Sequence, residues 1–280
     1  VAENDNEIKK YFLKLKSALN KRLNLMNIIV LQGINGHVGT SSVSAALAYS
    51  LNKINIKTIV LDGAFENRGA TVCSLFANDD TQTSYGWYDA VHNHKSLSNK
   101  KNKSNVVFSY EGGVLFAPKG KSFELLGLKE ADELASDLVT TLNNTQGIEF
   151  AIIDAGQRNS SFARAIAAKA HMAITILEAE GNSLNRLNEI EIEDNEYLLL
   201  NKVTRKSKIM TDIVLLLRES KIKNSLLNSD ISYDESVMNS FLYDMPYPRY
   251  FSVSSASLDT EKVMFEIILI CNAVNGNTTL

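Results

Sequence analysis

The stretch Asn27-Ile-Ile-Val-Leu-Gln-Gly33-Ile-Asn35-Gly36-His37-Val38-Gly39-Thr40-Ser41-Ser42, followed by a helix-patterned segment and then Lys57-Thr-Ile-Val-Leu-Asp62, decides the fold. It reads strand, glycine loop, helix, strand, which is the setting of a phosphate-binding loop. Such a loop aims backbone N–H groups at an anion, and the helix that follows adds the positive end of its dipole. Glycine allows the tight turn and the close approach, and Gly36 and Gly39 supply it here. Ser41 stands where a hydroxyl would bind magnesium. Thr40 occupies the place of the lysine that such a loop turns on phosphate. The pattern therefore predicts a site built to hold a nucleotide without necessarily hydrolysing it.

Beyond the loop the chain keeps alternating. Ser41 to Lys53 is predicted as a helix with Val43, Ala46, Leu47 and Leu51 inward, and Thr58 to Leu61 as the next strand. Short strands are expected at Val106–Phe108 and Val114–Phe116, and buried strands at Phe150–Asp154, Met172–Leu177 and Tyr197–Leu200. Helices are expected at Tyr85–Val91, Phe123–Leu142, Phe162–Ala168, around Ile209 to Leu217, and at Glu261–Ala273. Apolar strands without alternation, separated by helices, predict an α/β fold: a doubly wound, mostly parallel sheet with helices on both faces. Residues 26–280 form that domain. Residues 1–25 are expected to form an N-terminal extension, an amphipathic basic helix with Ile8, Tyr11, Phe12, Leu15 and Leu19 on one face and lysines around them. It reads either as a docking helix for a partner or an acidic membrane face, or as an extension packed on its own domain.

Three polar residues are expected at strand C-terminal ends, where open α/β sheets bind ligands. Asp154 closes one strand as a carboxylate aimed toward magnesium. Asp62 closes the neighbouring one. Asn201 closes Leu198-Leu-Leu-Asn201, where its amide could contact a base edge. Asp and Asn also favour strand ends and turns for their own sake, so the weight rests on the set of three together with the glycine loop.

The bulk properties narrow the function classes. The 280 residues are 45% hydrophobic and 22% charged, ordinary for a chain with a sizeable core. A net charge of −3 speaks against nonspecific nucleic-acid binding, and the lysine-rich Lys95–Ser104 has no interleaved aromatics. The two cysteines, Cys73 and Cys271, suggest neither metal spacing nor a disulfide framework, so a cytoplasmic setting is the expectation. No apolar run approaches the ~20 residues that span a bilayer. His92 and His94 form a His-x-His pair with no third ligand nearby. Tyr85, Trp87 and Tyr88 read as packing, Glu178 and Glu180 as loop charges, and the acidic run Glu189–Glu196 as a solvated edge.

The layout resembles the MinD/ParA family of deviant P-loop ATPases, whose loop reads Lys-Gly-Gly-Val-Gly-Lys-Thr-Thr where this chain has Asn35 to Ser42. Within it, the sequence Leu31 to Leu51 is most similar to the BcsQ family of bacterial cellulose secretion systems, which also carries threonine in place of the loop lysine. Gly86-Trp87 with Ala90-Val91, Leu177-Glu-Ala-Glu180, Leu199-Leu-Asn201, and Ser229-Asp230 through Asp234-Glu235-Ser236 match more thinly. The resemblance implies a cytoplasmic homodimer sandwiching ATP and magnesium, recruited to the inner membrane or cell pole as part of a cellulose synthase complex in biofilm formation. It implies partners of the BcsR-like and BcsE-like kinds. Asn35, Gly36, His37, Val38, Gly39, Thr40, Ser41 and Ser42 would cradle phosphates. Ser41 and Asp154 would hold magnesium, with Asp62 behind them, and Asn201 would contact the base. Three departures weaken catalysis. Asn35 removes the cation that reaches across the dimer, His37 replaces a loop glycine, and Ala64 removes the carboxylate expected two residues past Asp62. Two rival readings follow: a nucleotide-free scaffold, or a partition or positioning ATPase acting on DNA or a membrane.

Overall fold

The structure is a computed structural model that describes residues 26–66, 71–76, 86–92, 106–110, 112–120 and 127–274. The predicted N-terminal helix, the Lys95–Ser104 segment, Tyr85 and His94 lie outside these residues.

Among the described residues, seven strands form one sheet in the order β3-β4-β2-β5-β1-β6-β7. They are β1 (Asn27–Gly33), β2 (Thr58–Asp62), β3 (Phe108–Ser109), β4 (Leu115–Ala117), β5 (Phe150–Gln157), β6 (Met172–Glu178) and β7 (Glu196–Asn201). Every pairing is parallel except β3 with β4. The apolar runs divide by strand period. Ile29, Leu31, Val60, Ile152 and Ile174 face one helical layer. Ile28, Val30, Ile59, Leu61, Ala151 and Ile153 face the other. A segment such as Ile28 to Leu31 thus reads as continuous apolar sequence because both of its faces are covered.

The first layer holds α1 (Thr40–Lys53) and the long C-terminal helix α9 (Ser255–Val274), which contribute Val43, Leu47, Leu51, Ile267 and Ile268. The second holds α2 (Trp87–His92), α3 (Leu128–Asn143) and α4 (Ser161–Ala167), with Trp87, Leu134, Leu138, Phe162 and Ile166 buried. At the β7 edge, α5 (Gly181–Leu187) and α6 (Lys208–Glu219) cover Leu177, Leu198 and Leu200. Two short helices, α7 (Glu235–Leu242) and α8 (Tyr247–Tyr250), precede α9.

Most predicted elements stand within a few residues of their expected ends. The differences have local causes. α7 starts where the Asp234 carboxylate accepts from Ser236 N, a cap hidden in a polar stretch. α9 begins six residues before Glu261, because Ser254 Oγ accepts from the Ser257 amide and starts a helix in sequence that reads as a serine loop. Glu196 is the largest correction: the acidic run is not a solvated edge throughout, since Glu196 opens β7 and is buried. His171 acts as a structural edge residue, its Nδ1 accepting from Ile28 N at 3.1 Å. Trp87 is fully buried against Phe65 and Phe162, consistent with packing.

Candidate functional site

The chain leaves β1 for β2 on one side of the sheet, while β6 and β7 lie on the other. The crevice this reversal creates opens at the C-terminal end of β1, the place where open α/β sheets take ligands. A cavity of about 560 Å³ lies there, within the usual size range of ligand sites.

The glycine loop forms its floor. Gly39 has φ +93°, a left-handed backbone that L side chains rarely adopt, and a Cβ there would sit 2.5 Å from Asn201 Nδ2. Only glycine fits. Gly39 then opens α1 without offering a side-chain acceptor to the first-turn amides. Thr40, Ser41 and Ser42 of that first turn line the cavity along with Asn35, Gly36 and His37, the position from which helix N-terminal amides can serve an anion. His37 is exposed at the loop tip with φ 65°. Val38 differs from its neighbours. Its side chain turns into the core, so only its backbone serves the loop.

Beneath the loop, Ser41 Oγ donates to Asp154 Oδ2 at 2.6 Å. Asp154 is fully buried, and Asp62 is its register partner on β2. Burial raises the Asp154 pKa to about 6, and the negative charge of Asp62 adds to the rise. The Ser41 hydroxyl, the Gly156 amide and the charge of Lys119 oppose it. Asp62 is raised too, chiefly by burial, against the charge of Lys119 and hydrogen bonds from Thr71 and Ala64. Its carbonyl accepts from Trp87 Nε1 at 2.7 Å. Gly86 lets α2 come that close: a Cβ there would lie 2.2 Å from the backbone of Lys119 and Gly120.

Magnesium takes oxygen ligands and usually only one or two from protein, completing its shell with phosphate and water. A hydroxyl and a carboxylate whose excess proton affinity comes from burial match that donor set. Asp62 is in place behind them. Among the described residues no three His, Cys, Asp or Glu side chains gather as a self-sufficient metal site. With His94 outside the described residues, the His-x-His pair is not placed.

Several participants escaped the sequence reading. Lys119 is buried. Its Nζ donates to Ala64 O at 2.6 Å and lies 4.0 Å from Asp62 Oδ2. Glu66 lines the cavity, so an acidic side chain does face it from the segment where Ala64 had suggested none. Gln157 also lines it, with Nε2 3.4 Å from the Cβ position of Gly36. Asn201 is brought to the site, but its amide donates to Val38 O at 2.8 Å and so holds the loop itself. Glu178 is no idle loop charge: it accepts from Lys202 Nζ at 2.6 Å. Val237, Met238 and Phe241 of α7 form an apolar wall opposite, which no motif foretold.

Comparison with known proteins points the same way. The family model described as cellulose biosynthesis protein BcsQ matches residues 26–265. The curated cellulose biosynthesis protein BcsQ of Escherichia coli K12 is 22% identical over 241 residues, 83% of this chain and 90% of that protein. Among solved structures, the septum site-determining protein MinD of Pyrococcus horikoshii, complexed with Mg-ADP, superposes with a TM-score of 0.63 at 16% identity, over 87% of this chain and 96% of that one. A ParA family ATPase from Chlorobium tepidum gives 0.63 at 14% identity, over 86% of this chain and 98% of that one. The fold is that of the MinD/ParA P-loop ATPases.

Proposed function

The chain belongs to the BcsQ family of cellulose biosynthesis proteins, and from that premise we propose that it works as a MinD-like, nucleotide-binding dimer that regulates or assembles a bacterial cellulose secretion system. The observation that carries the nucleotide reading is the Ser41–Asp154 hydrogen bond beneath a glycine loop that lines the cavity together with the first turn of its helix. Backbone amides of residues 36–42 would bind the phosphates of ATP. Ser41 and Asp154 would hold magnesium, with Asp62 behind them. The bound ion would supply the positive charge that screens phosphate oxygens. Lys119 keeps the two buried carboxylates from facing each other unbalanced.

The same loop argues for slow turnover. Asn35 and Thr40 remove two cations, each worth ~1.5–3 kcal/mol as a charge-assisted partner. Their loss weakens triphosphate binding by roughly 10²–10⁴-fold against a loop that has both, at about 1.4 kcal/mol per decade. Hydrolysis suffers more, since phosphoryl transfer depends on stabilising charge as it develops. Homodimerisation, BcsR-like and BcsE-like partners and recruitment to a membrane-bound synthase belong to this proposal by analogy.

One observation favours a second reading. His37 places an imidazole-bearing residue at the loop tip where the family pattern has glycine, which suits a scaffold that keeps the shape of the site and binds nothing there. The solution mass of the full chain, with and without ATP and magnesium, separates the two. The monomer is 31.0 kDa. A doubling on Mg-ATP that Asp154→Ala and Asp154→Asn both abolish supports the nucleotide switch. A mass indifferent to ATP in a well-folded wild type rejects it in favour of the scaffold.

A further inference from the structure

Two consecutive residues hold two consecutive carbonyls of the glycine loop. Asn201, closing β7, donates to Val38 O at 2.8 Å. Lys202, next along, donates from Nζ to His37 O at 2.6 Å. The same ammonium donates to Glu178 Oε1, on the last residue of β6, also at 2.6 Å. Three segments distant in sequence therefore meet at one nitrogen: the loop after β1, the end of β6 and the end of β7.

The backbone shares in this arrangement. His37 and Lys202 are two of four non-glycine residues with positive φ among those described, at 65° and 56°. L residues rarely adopt that conformation unless their surroundings impose it. Here the residues at both ends of one hydrogen bond adopt it. The left-handed turn at His37 aims its carbonyl outward toward Nζ, and the one at Lys202 sends its side chain back over the loop. Gly39 completes the fit, since its missing Cβ leaves room for Asn201 Nδ2 and the stem of Lys202, whose Cε is 4.0 Å from that position.

We propose that Lys202 and Glu178 form an external clamp that holds the glycine loop in its anion-accepting shape, making Lys202 a positioning residue for the site. The functional part of this inference rests on the nucleotide reading above; the structural part does not. Glu178 neutralises the ammonium, so the clamp gives the loop its shape while adding little net positive charge. A direct phosphate cation would do the reverse, leaving Glu178 and turning into the cavity that Lys202 also lines.

The test compares the full-length wild type with Lys202→Met, Lys202→Arg, Glu178→Gln and the Lys202→Met/Glu178→Gln double variant. In the ligand-free proteins, amide hydrogen exchange is followed at Ile34 and Val43, which bracket the loop and donate to Ile176 O and Gly39 O. Mg-ATP affinity is then measured at two salt concentrations. The clamp predicts exchange at those two amides about tenfold faster in Lys202→Met, the effect of losing one charge-assisted hydrogen bond at a part-exposed pair. It predicts no change at core amides such as Ile152, recovery in Lys202→Arg, a smaller shift in Glu178→Gln, and a double variant no worse than Lys202→Met. Affinity falls by a similar factor with its salt dependence unchanged. Unaltered exchange in Lys202→Met overturns the clamp, and affinity lost together with a shallower salt dependence would make Lys202 a phosphate ligand. A wild type that fails to bind Mg-ATP defeats the nucleotide reading, while the ligand-free exchange still decides the clamp.

Discussion

Glu196 and Asp154 are both acids buried in the same sheet, and their surroundings drive them in opposite directions. Burial pushes Glu196 up, but Arg158, Thr175 and the Glu193 amide together more than compensate. The Arg158 Nε donates to Oε1 at 2.7 Å and its Nη2 to Oε2 at 2.8 Å. With Thr175 also donating, the Glu196 carboxyl is held below its ordinary pKa. Burial lifts the Asp154 pKa to about 6 and the neighbouring Asp62 charge adds to the rise, while a hydroxyl, an amide and a shared, more distant lysine offset only part of it. One acid is fully compensated and serves the fold. The other is left short of positive charge behind Ser41, which lines the cavity. Such shortfalls cluster at functional sites, and in this molecule a divalent cation would remove it.

The largest effect expected from this contrast lies on the compensated side. Replacing Glu196 by Gln breaks a two-pronged ion pair and should cost about 3–5 kcal/mol in urea denaturation near neutral pH, as breaking buried pairs does. A depressed carboxyl pKa gives stability that is present above the unfolded value and lost as pH falls through the folded one. The penalty of the variant should therefore shrink as the pH is taken below 4.5. A penalty under 1 kcal/mol would place Glu196 with the solvated charges around it.

Asp154→Asn should go the other way. The wild-type carboxyl binds its proton more tightly folded than unfolded, so stability is fully present below pH 3.8 and declines as pH rises to about 6. Removing the charge should stabilise the ligand-free protein at pH 7.5 by up to about 3 kcal/mol, with the gain fading between pH 6 and 4, while abolishing any response to Mg-ATP. A thermal melt at both pH values reads this directly. Destabilisation at pH 7.5 would mean that Asp154 is as well compensated as Glu196.

The smallest effect sharpens the contrast most. If magnesium engages Asp154, binding Mg-ATP near pH 6 should release on the order of half a proton from that carboxyl. Calorimetry in buffers of different ionisation enthalpy, corrected with Asp154→Asn, would detect it. No difference between wild type and variant would detach the metal from Asp154.

The sheet and the glycine loop were legible because their signals are local. Apolar runs between helical segments, Gly36 and Gly39 at fixed offsets, and Asp62 at a strand end all sit in short windows; Asp154 is expected to close its strand as well, but β5 runs on to Gln157. What went unread depends on partners far apart in sequence. Lys119 is 57 residues from the aspartate it neutralises, by the difference in their numbers, and Lys202 touches a loop 165 residues away. Neither looks different from a surface lysine in its own neighbourhood. Glu196 lies inside a run of acids whose charge pattern does not separate it. Its spacing with Leu198 and Leu200, two apart on one face of a strand, was the one available signal.

Trp87 is the only tryptophan in the chain, and its indole N–H ends on the carbonyl of Asp62. The protein thus carries a built-in optical probe hydrogen-bonded to the backbone of one of its two buried aspartates. Any rearrangement of the β2 end should register in indole emission from unlabelled protein, separately from the elements at the β7 edge.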